Sequence, residues 1–99
     1  MLHIINKSPF ERNSLESCLR TATKGSTLLF IEDGVYAAME GSAMSTTLRQ
    51  AMQDHTVCVL EPDLAARGIA SKAMDGIKRV DYAGFVDLVA ESERVQSWL

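Results

Sequence analysis

The sequence predicts an α/β fold: a small three-layer α/β/α domain with a mainly parallel sheet of about four strands. Three observations lead there. Short apolar runs alternate with stretches of helical periodicity along the whole chain. The apolar runs are almost unbroken, as in parallel strands covered by helices on both faces. The 99 residues contain no linker, internal repeat or low-complexity tract, so residues 1–99 form a single domain.

The elements follow in order. Leu2–Ile5 is a buried strand. Ser8, Pro9 and Glu11 read as a capping box with proline at the first helical position. The helix they open carries Leu15, Cys18, Leu19 and Ala22 on one stripe and stops at Gly25. Thr27–Ile31 is the second strand, ended by the turn residues Glu32, Asp33 and Gly34. Val35–Glu40 reads as a short helical piece, interrupted at Gly41 and Ser42. Helix resumes over Met44–Gln53, with Met44, Leu48, Ala51 and Met52 on one side. Thr56–Leu60 is the third strand, rich in β-branched residues. Glu61-Pro62-Asp63 breaks it, and Asp63 is placed to cap a helical turn over Leu64–Arg67 that ends at Gly68. Ser71–Met74 reads as a further turn and Ile77–Val80 as a short fourth strand. Asp81 is the natural cap of a last helix reaching Glu91, with Tyr82, Phe85, Val86 and Val89 as its apolar stripe. Ser92–Leu99 is left as a tail ending in Trp98-Leu99.

Composition narrows the functional classes. The chain is 46% hydrophobic and 23% charged, with a net charge of −3. That balance gives no electrostatic grip on nucleic acid or an anionic membrane, so neither is expected as a direct partner. No apolar run approaches a membrane span of about 20 residues. The amino-terminal run is too short for a signal peptide, and Lys7 follows it instead of preceding it, so the expected compartment is the cytoplasm. Two cysteines, Cys18 and Cys58, do not make a disulfide framework. His3 and His55 stand apart from any ligand cluster, so no metal and no cofactor are expected.

In folds of this kind ligands bind beyond the carboxyl ends of the strands. Those ends carry Asn6-Lys7-Ser8, Glu32-Asp33-Gly34, Glu61-Pro62-Asp63 and Asp81. The rim is acidic, but the position after the first strand holds Asn6 and Lys7, not the acid pair of a magnesium-dependent phosphoacceptor. No glycine-rich loop offers a phosphate cradle. The favoured reading of these acids is structural: Asp63 and Asp81 cap helices, and Glu32 and Asp33 make a turn. Cys18 has two readings. On the apolar stripe it is a small buried hydrophobe with a high pKa. As a functional group it is a thiolate able to carry persulfide sulfur, with Lys7, Arg12 and Arg20 in the same segment. Arg20, two positions on, does not face it along the helix. Cys58, inside an apolar strand, reads as core. His3 reads as a packed or hydrogen-bonded histidine and His55 as a loop residue. Trp98 is unusual in a solvated tail and suggests docking, on its own body or on another chain.

Four segments carry a resemblance: LHIINKSPF (2–10), LLFIEDGVYAA (28–38), LEPDLAARG (60–68) and VDYAGFVDL (80–88). In this order and spacing the chain resembles the DsrH/TusB family over essentially its whole length. The resemblance implies a DsrE/DsrF/DsrH-like fold. It also implies a cytoplasmic subunit of a sulfur-relay complex, with DsrE/TusD-like and DsrF/TusC-like partners, two copies of each. Such a complex passes persulfide sulfur to a DsrC/TusE-type carrier. The sulfur ends either in 2-thiouridine of transfer RNA or in sulfur oxidation. The principal acceptor cysteine would lie on the DsrE/TusD-like partner. The DsrH branch has a cysteine in its first helix, within the run NSLESCL (13–19), where Cys18 stands, so the resemblance makes Cys18 the candidate persulfide carrier of this chain. Two alternatives remain open: a purely structural subunit of that complex, and a stand-alone flavodoxin-like ligand-binding domain. Met39, Met44, Met52 and the apolar end of the chain favour life in a hetero-oligomer.

Overall fold

The computed structural model describes residues 1–98. Its sheet has five strands in the order β4-β3-β2-β1-β5, and every neighbouring pair is parallel. The strands are β1 Leu2–Ile5, β2 Thr27–Phe30, β3 Thr56–Leu60, β4 Lys78–Val80 and β5 Val95–Trp98. The α-helices are α1 Ser14–Thr21, α2 Ser45–Asp54, α3 Glu61–Ala66 and α4 Tyr82–Glu91. A 3-10 segment, Glu32–Ala38, follows β2, and a shorter one, Ala70–Lys72, precedes β4.

Strand order dictates the layers. From β1 to β4 the chain steps one strand at a time in one direction, so right-handed crossovers put α1, α2 and α3 on one face. The last connection jumps from one edge of the sheet to the other, in the opposite direction, and α4 therefore falls on the second face. The core divides accordingly. Ile5, Leu28, Phe30, Val57 and Val59 meet Leu15, Cys18, Leu48 and Leu64 on the first face. Leu2, Ile4, Leu29 and Cys58 form a smaller cluster on the second, covered by Phe85 and Leu88 of α4.

The tail is the main correction to the sequence reading. Val95–Trp98 is a fifth strand, paired with β1 in the register Leu2↔Val95 to Ile5↔Trp98. Its residues are Val, Gln, Ser and Trp, with three of the four side chains exposed, so no apolar run marked it. Backbone pairing and one aromatic hold it instead. Trp98 shares the first face with His3 and Ile5, and its Nε1–H donates to His3 Nδ1 at 3.1 Å. Of the two dockings open to Trp98, the ring packs on its own domain. Leu99 lies outside the described residues.

Three local expectations also change. Ser8 does not cap α1: its hydroxyl accepts from Phe10 N at 3.2 Å and its carbonyl from Glu11 N and Arg12 N. That turn is not continued, and α1 starts at Ser14, where Leu15 and Cys18 have core to enter. Glu61 and Pro62 do not merely break β3; they are the first residues of α3, proline taking a position where its missing N–H costs nothing. Asp81 caps α4 as expected, accepting from Gly84 N at 2.8 Å. The stripe on that helix is misassigned, however. Phe85 and Leu88 face the sheet, whereas Tyr82 and Val86 are 62% and 64% exposed. Gly84 permits this roll, since a Cβ there would lie 3.1 Å from Val80 Cβ.

Tryptophan is a donor only, so His3 must accept through an unprotonated Nδ1 and carry its hydrogen on Nε2. Burial, and then the amino terminus and His55, hold the His3 pKa below its usual value. In the unfolded chain it titrates at about 6.5. Below that pH the unfolded state binds the extra proton, so stability contributed by neutral His3 is full above about pH 6.5. It falls with pH down to the lowered folded value and levels off there. Urea midpoints between pH 5 and 8 should show this slope in the native chain and a smaller one in His3→Gln. Trp98→Phe, which keeps an aromatic ring there and loses the bond, should cost at least about 1 kcal/mol at neutral pH.

Candidate functional site

The carboxyl ends of the strands form a rim on which four of the five acids are engaged, while the Glu32 carboxylate is exposed. After β2 the chain turns at Glu32, which adopts a left-handed conformation, φ +50°. A non-glycine residue there is strained, and its N–H is held by the Asp63 carboxylate at 2.6 Å. Asp63 thus ties the start of the 3-10 segment to α3 and does not cap its own helix. The turn brings Gly34 against β1: a Cβ on it would sit 2.2 Å from the Ile5 carbonyl oxygen. Asp33 pairs with Arg67 at 2.9 Å, and Arg67 also donates to the Asp63 carbonyl at 3.2 Å. Glu61 receives Arg79 through both oxygens, at 3.2 and 3.3 Å. The hollow beside that pair, about 410 Å³, is open and lined by Glu61, Arg79, Val80, Asp81 and Gly84.

These contacts decide what the rim can do. An acid pair that holds magnesium or accepts phosphate must leave its oxygens free. Here Asp33, Glu61, Asp63 and Asp81 each hold a guanidinium or a backbone N–H. Asp63 and Arg67 tie the turn after β2 to α3, the Glu61–Arg79 pair ties the start of α3 to β4, and Asp81 caps α4. Among the described residues no group of three or more His, Cys, Asp or Glu is placed to hold a metal ion. Asn6 Oδ1, His3 Nε2 and His55 Nδ1 are buried without a hydrogen-bond partner.

The two thiols lie on opposite faces of the sheet. Cys18, on α1, is fully buried against the first face of the sheet, and burial pushes its thiol up to about 11. No cation counteracts this. Arg20 donates to Ser17 Oγ and Arg12 to the Glu11 carbonyl, so both guanidinium groups are turned to the surface. Cys58 is 2% exposed in β3; burial raises its pKa too, and Lys78 opposes the shift.

Comparison with known proteins agrees with the segments that carry the resemblance. The family described as DsrH like protein matches residues 7–95. The Protein TusB of Shigella flexneri is 34% identical over 98 residues, covering 99% of this chain and 100% of that protein. The Protein TusB of Escherichia coli O81 (strain ED1a) matches to the same extent. This chain belongs to the DsrH/TusB family. Membership supports a place in a multi-subunit sulfur-relay complex. The fold is shared more widely. The ychN protein of E. coli superposes with a TM-score of 0.78 at 16% identity, over 97% of both chains. MTH1491 of Methanobacterium thermoautotrophicum does so with a TM-score of 0.76 at 17% identity, over 97% of this chain and 95% of that one.

Within this DsrH/TusB domain the structure does not bring Cys18 to the rim, nor to the three cations that share its segment. Sequence reasoning missed the cross-rim role of Asp63, because its place before Leu64 looked like a cap. The charge complement of Asp33 with Arg67, 34 positions apart, is a pair that no local pattern reveals. Among the described residues no helix is long and apolar enough to cross a membrane.

Thiolate, not thiol, reacts with alkylating reagents. A pKa of about 11 leaves on the order of one thiolate in 1,000 at pH 8, before burial slows access further. Iodoacetamide at pH 8 should therefore leave Cys18 and Cys58 unlabelled in the native protein over a time in which the urea-unfolded chain reacts completely. Mass spectrometry of the two samples checks this.

Proposed function

We propose that this chain is a structural subunit of a sulfur-relay complex, working beside DsrE/TusD-like and DsrF/TusC-like subunits. In this reading persulfide sulfur is carried on a partner's cysteine and handed to a DsrC/TusE-type carrier, and this chain shapes the assembly without holding sulfur. Family membership supports the complex. The observation that carries the structural role is the Cys18 thiol, fully buried, raised to about 11 and facing no cation. A relay cysteine has to meet its donor and acceptor as an exposed thiolate. The delivered sulfur serves transfer-RNA 2-thiolation or sulfur oxidation, according to the carrier and its own acceptor.

One observation favours a second reading, in which Cys18 is a persulfide carrier. Helix α1 has eight residues, and no side chain caps its amino end. A short, uncapped helix is held mainly by its packing. If α1 shifts within the complex, the Cys18 thiolate can take the terminal sulfur of a donor persulfide, releasing the donor thiolate.

Incubating the assembled complex with a persulfide donor separates the two. The structural reading expects no added sulfur mass on this chain and full relay turnover in Cys18→Ala. A sulfur adduct on Cys18, with turnover lost in Cys18→Ala, would establish the carrier reading instead.

A further inference from the structure

Strand β5 lies at the edge of the sheet and pairs with β1 alone. Val95, Gln96 and Ser97 are exposed, and Trp98 is the one side chain of the strand packed against the main core cluster. Beyond the main-chain ladder, that indole is the fastening. It ends on a titratable group: Nε1–H donates to Nδ1 of His3 at 3.1 Å, with ring centroids 6.1 Å apart.

His3 is only 3% exposed, and its Nε2 is buried without a partner. The imidazole serves this bond only while neutral, because with a second proton both ring nitrogens are donors. Nδ1–H would then face the indole N–H, donor against donor, and Nε2–H would still find no acceptor. Among the described residues the ionisable groups acting on His3 are the amino terminus and His55, and both oppose a charge on it. Its neighbours across the ladder are Leu28 on β2 and Gln96 on β5, and α1 brings the protonated Cys18 thiol to this face. A buried imidazolium needs water. Parting β1 from β2, or α1 from the sheet, would open the core around Leu28, Leu15 and Cys18. Lifting the edge strand gives up one half-buried ring, and elements with so little buried apolar surface open most easily.

We propose that β5 is a pH-operated latch: proton uptake by His3 releases Trp98 and the Val95–Trp98 strand from β1, while the sheet β4-β3-β2-β1 and its helices stay folded. Release bares the outer edge of β1 together with the His3 ring. In the released state His3 is solvated and takes its proton at about pH 6.5. The closed strand is therefore favoured fully above that pH. Opening grows about tenfold per pH unit below it, down to the lowered value that His3 has in the closed state.

Trp98 is the only tryptophan of the chain, so its fluorescence reads the latch directly. Taking the full chain from about pH 7.5 to about pH 5 should move the emission to longer wavelength, with helical circular dichroism unchanged. Over the same range the amides bonded between β1 and β5 should lose about tenfold of their protection from hydrogen exchange, while those between β2 and β3 keep theirs. His3→Gln, which offers an uncharged acceptor at every pH, should abolish both changes. If that variant does not fold, the native chain still decides, because the Trp98 indole N–H resonance should shift with the titration of His3. An indole resonance unmoved while His3 titrates overturns the latch, as does a protein in which no signal changes down to about pH 5. Loss of tryptophan and helix signals at one midpoint also overturns it, since that is global unfolding. So does an acid transition of Trp98 that survives in His3→Gln.

Discussion

Parallel strands cannot be joined by tight turns, so each connection must carry the chain across a face of the sheet. The rest of this molecule depends on that constraint. With the strands ordered β4-β3-β2-β1-β5, three crossovers share one face and a single long one takes the other. The first face receives most of the core; the second receives one helix over four buried residues. The asymmetry explains why α4 alone presents broad apolar surface. It covers the thin face by itself, and nothing in the described chain covers it in turn.

The carboxyl rim answers a second need of the same topology. Sharp exits from neighbouring strands must be fixed relative to each other, and here charged side chains fix them. Glu32 is held in a strained conformation by Asp63, Asp33 is held by Arg67, and Gly34 lies against the Ile5 carbonyl. In related architectures the corresponding edge is where ligands enter. In this chain Asp33, Glu61 and Asp63 are committed to bracing, which agrees with the proposed role of a subunit whose contribution is shape.

The parts of the fold written in local pattern were legible: three apolar runs and the short Ile77–Val80 segment as strands, the Asp81 cap, the alternation that implies a parallel sheet. The Val95–Trp98 strand was not, since an edge strand of Val, Gln, Ser and Trp has no periodic signal and is held by pairing with β1. The capping box at Ser8 was a true local signal for a turn that the core then abandoned in favour of a start at Ser14. On α4 two apolar stripes compete, and the close approach of Gly84 to Val80 goes with the one that turns inward, Phe85 and Leu88. For the candidate site the resemblance named Cys18, and the spacing already allowed a buried thiol. What periodicity could not supply was the direction of Arg12 and Arg20, because rotamers of long side chains answer to neighbours distant in sequence.

The bond between His3 and Trp98 spans 95 positions. It closes almost the entire chain into one loop, and β1 is completed on its second side only when that loop closes. Contacts of such separation are slow to form, because the entropy of a long closure is lost before the contact rewards it. An emerging or truncated chain therefore has β1 as an open edge, with main-chain donors and acceptors open to any extended peptide, until its far end arrives. Completion of the sheet is a property of the whole chain, and the order of events in folding runs opposite to the order of the sequence: the strand made first is sealed last.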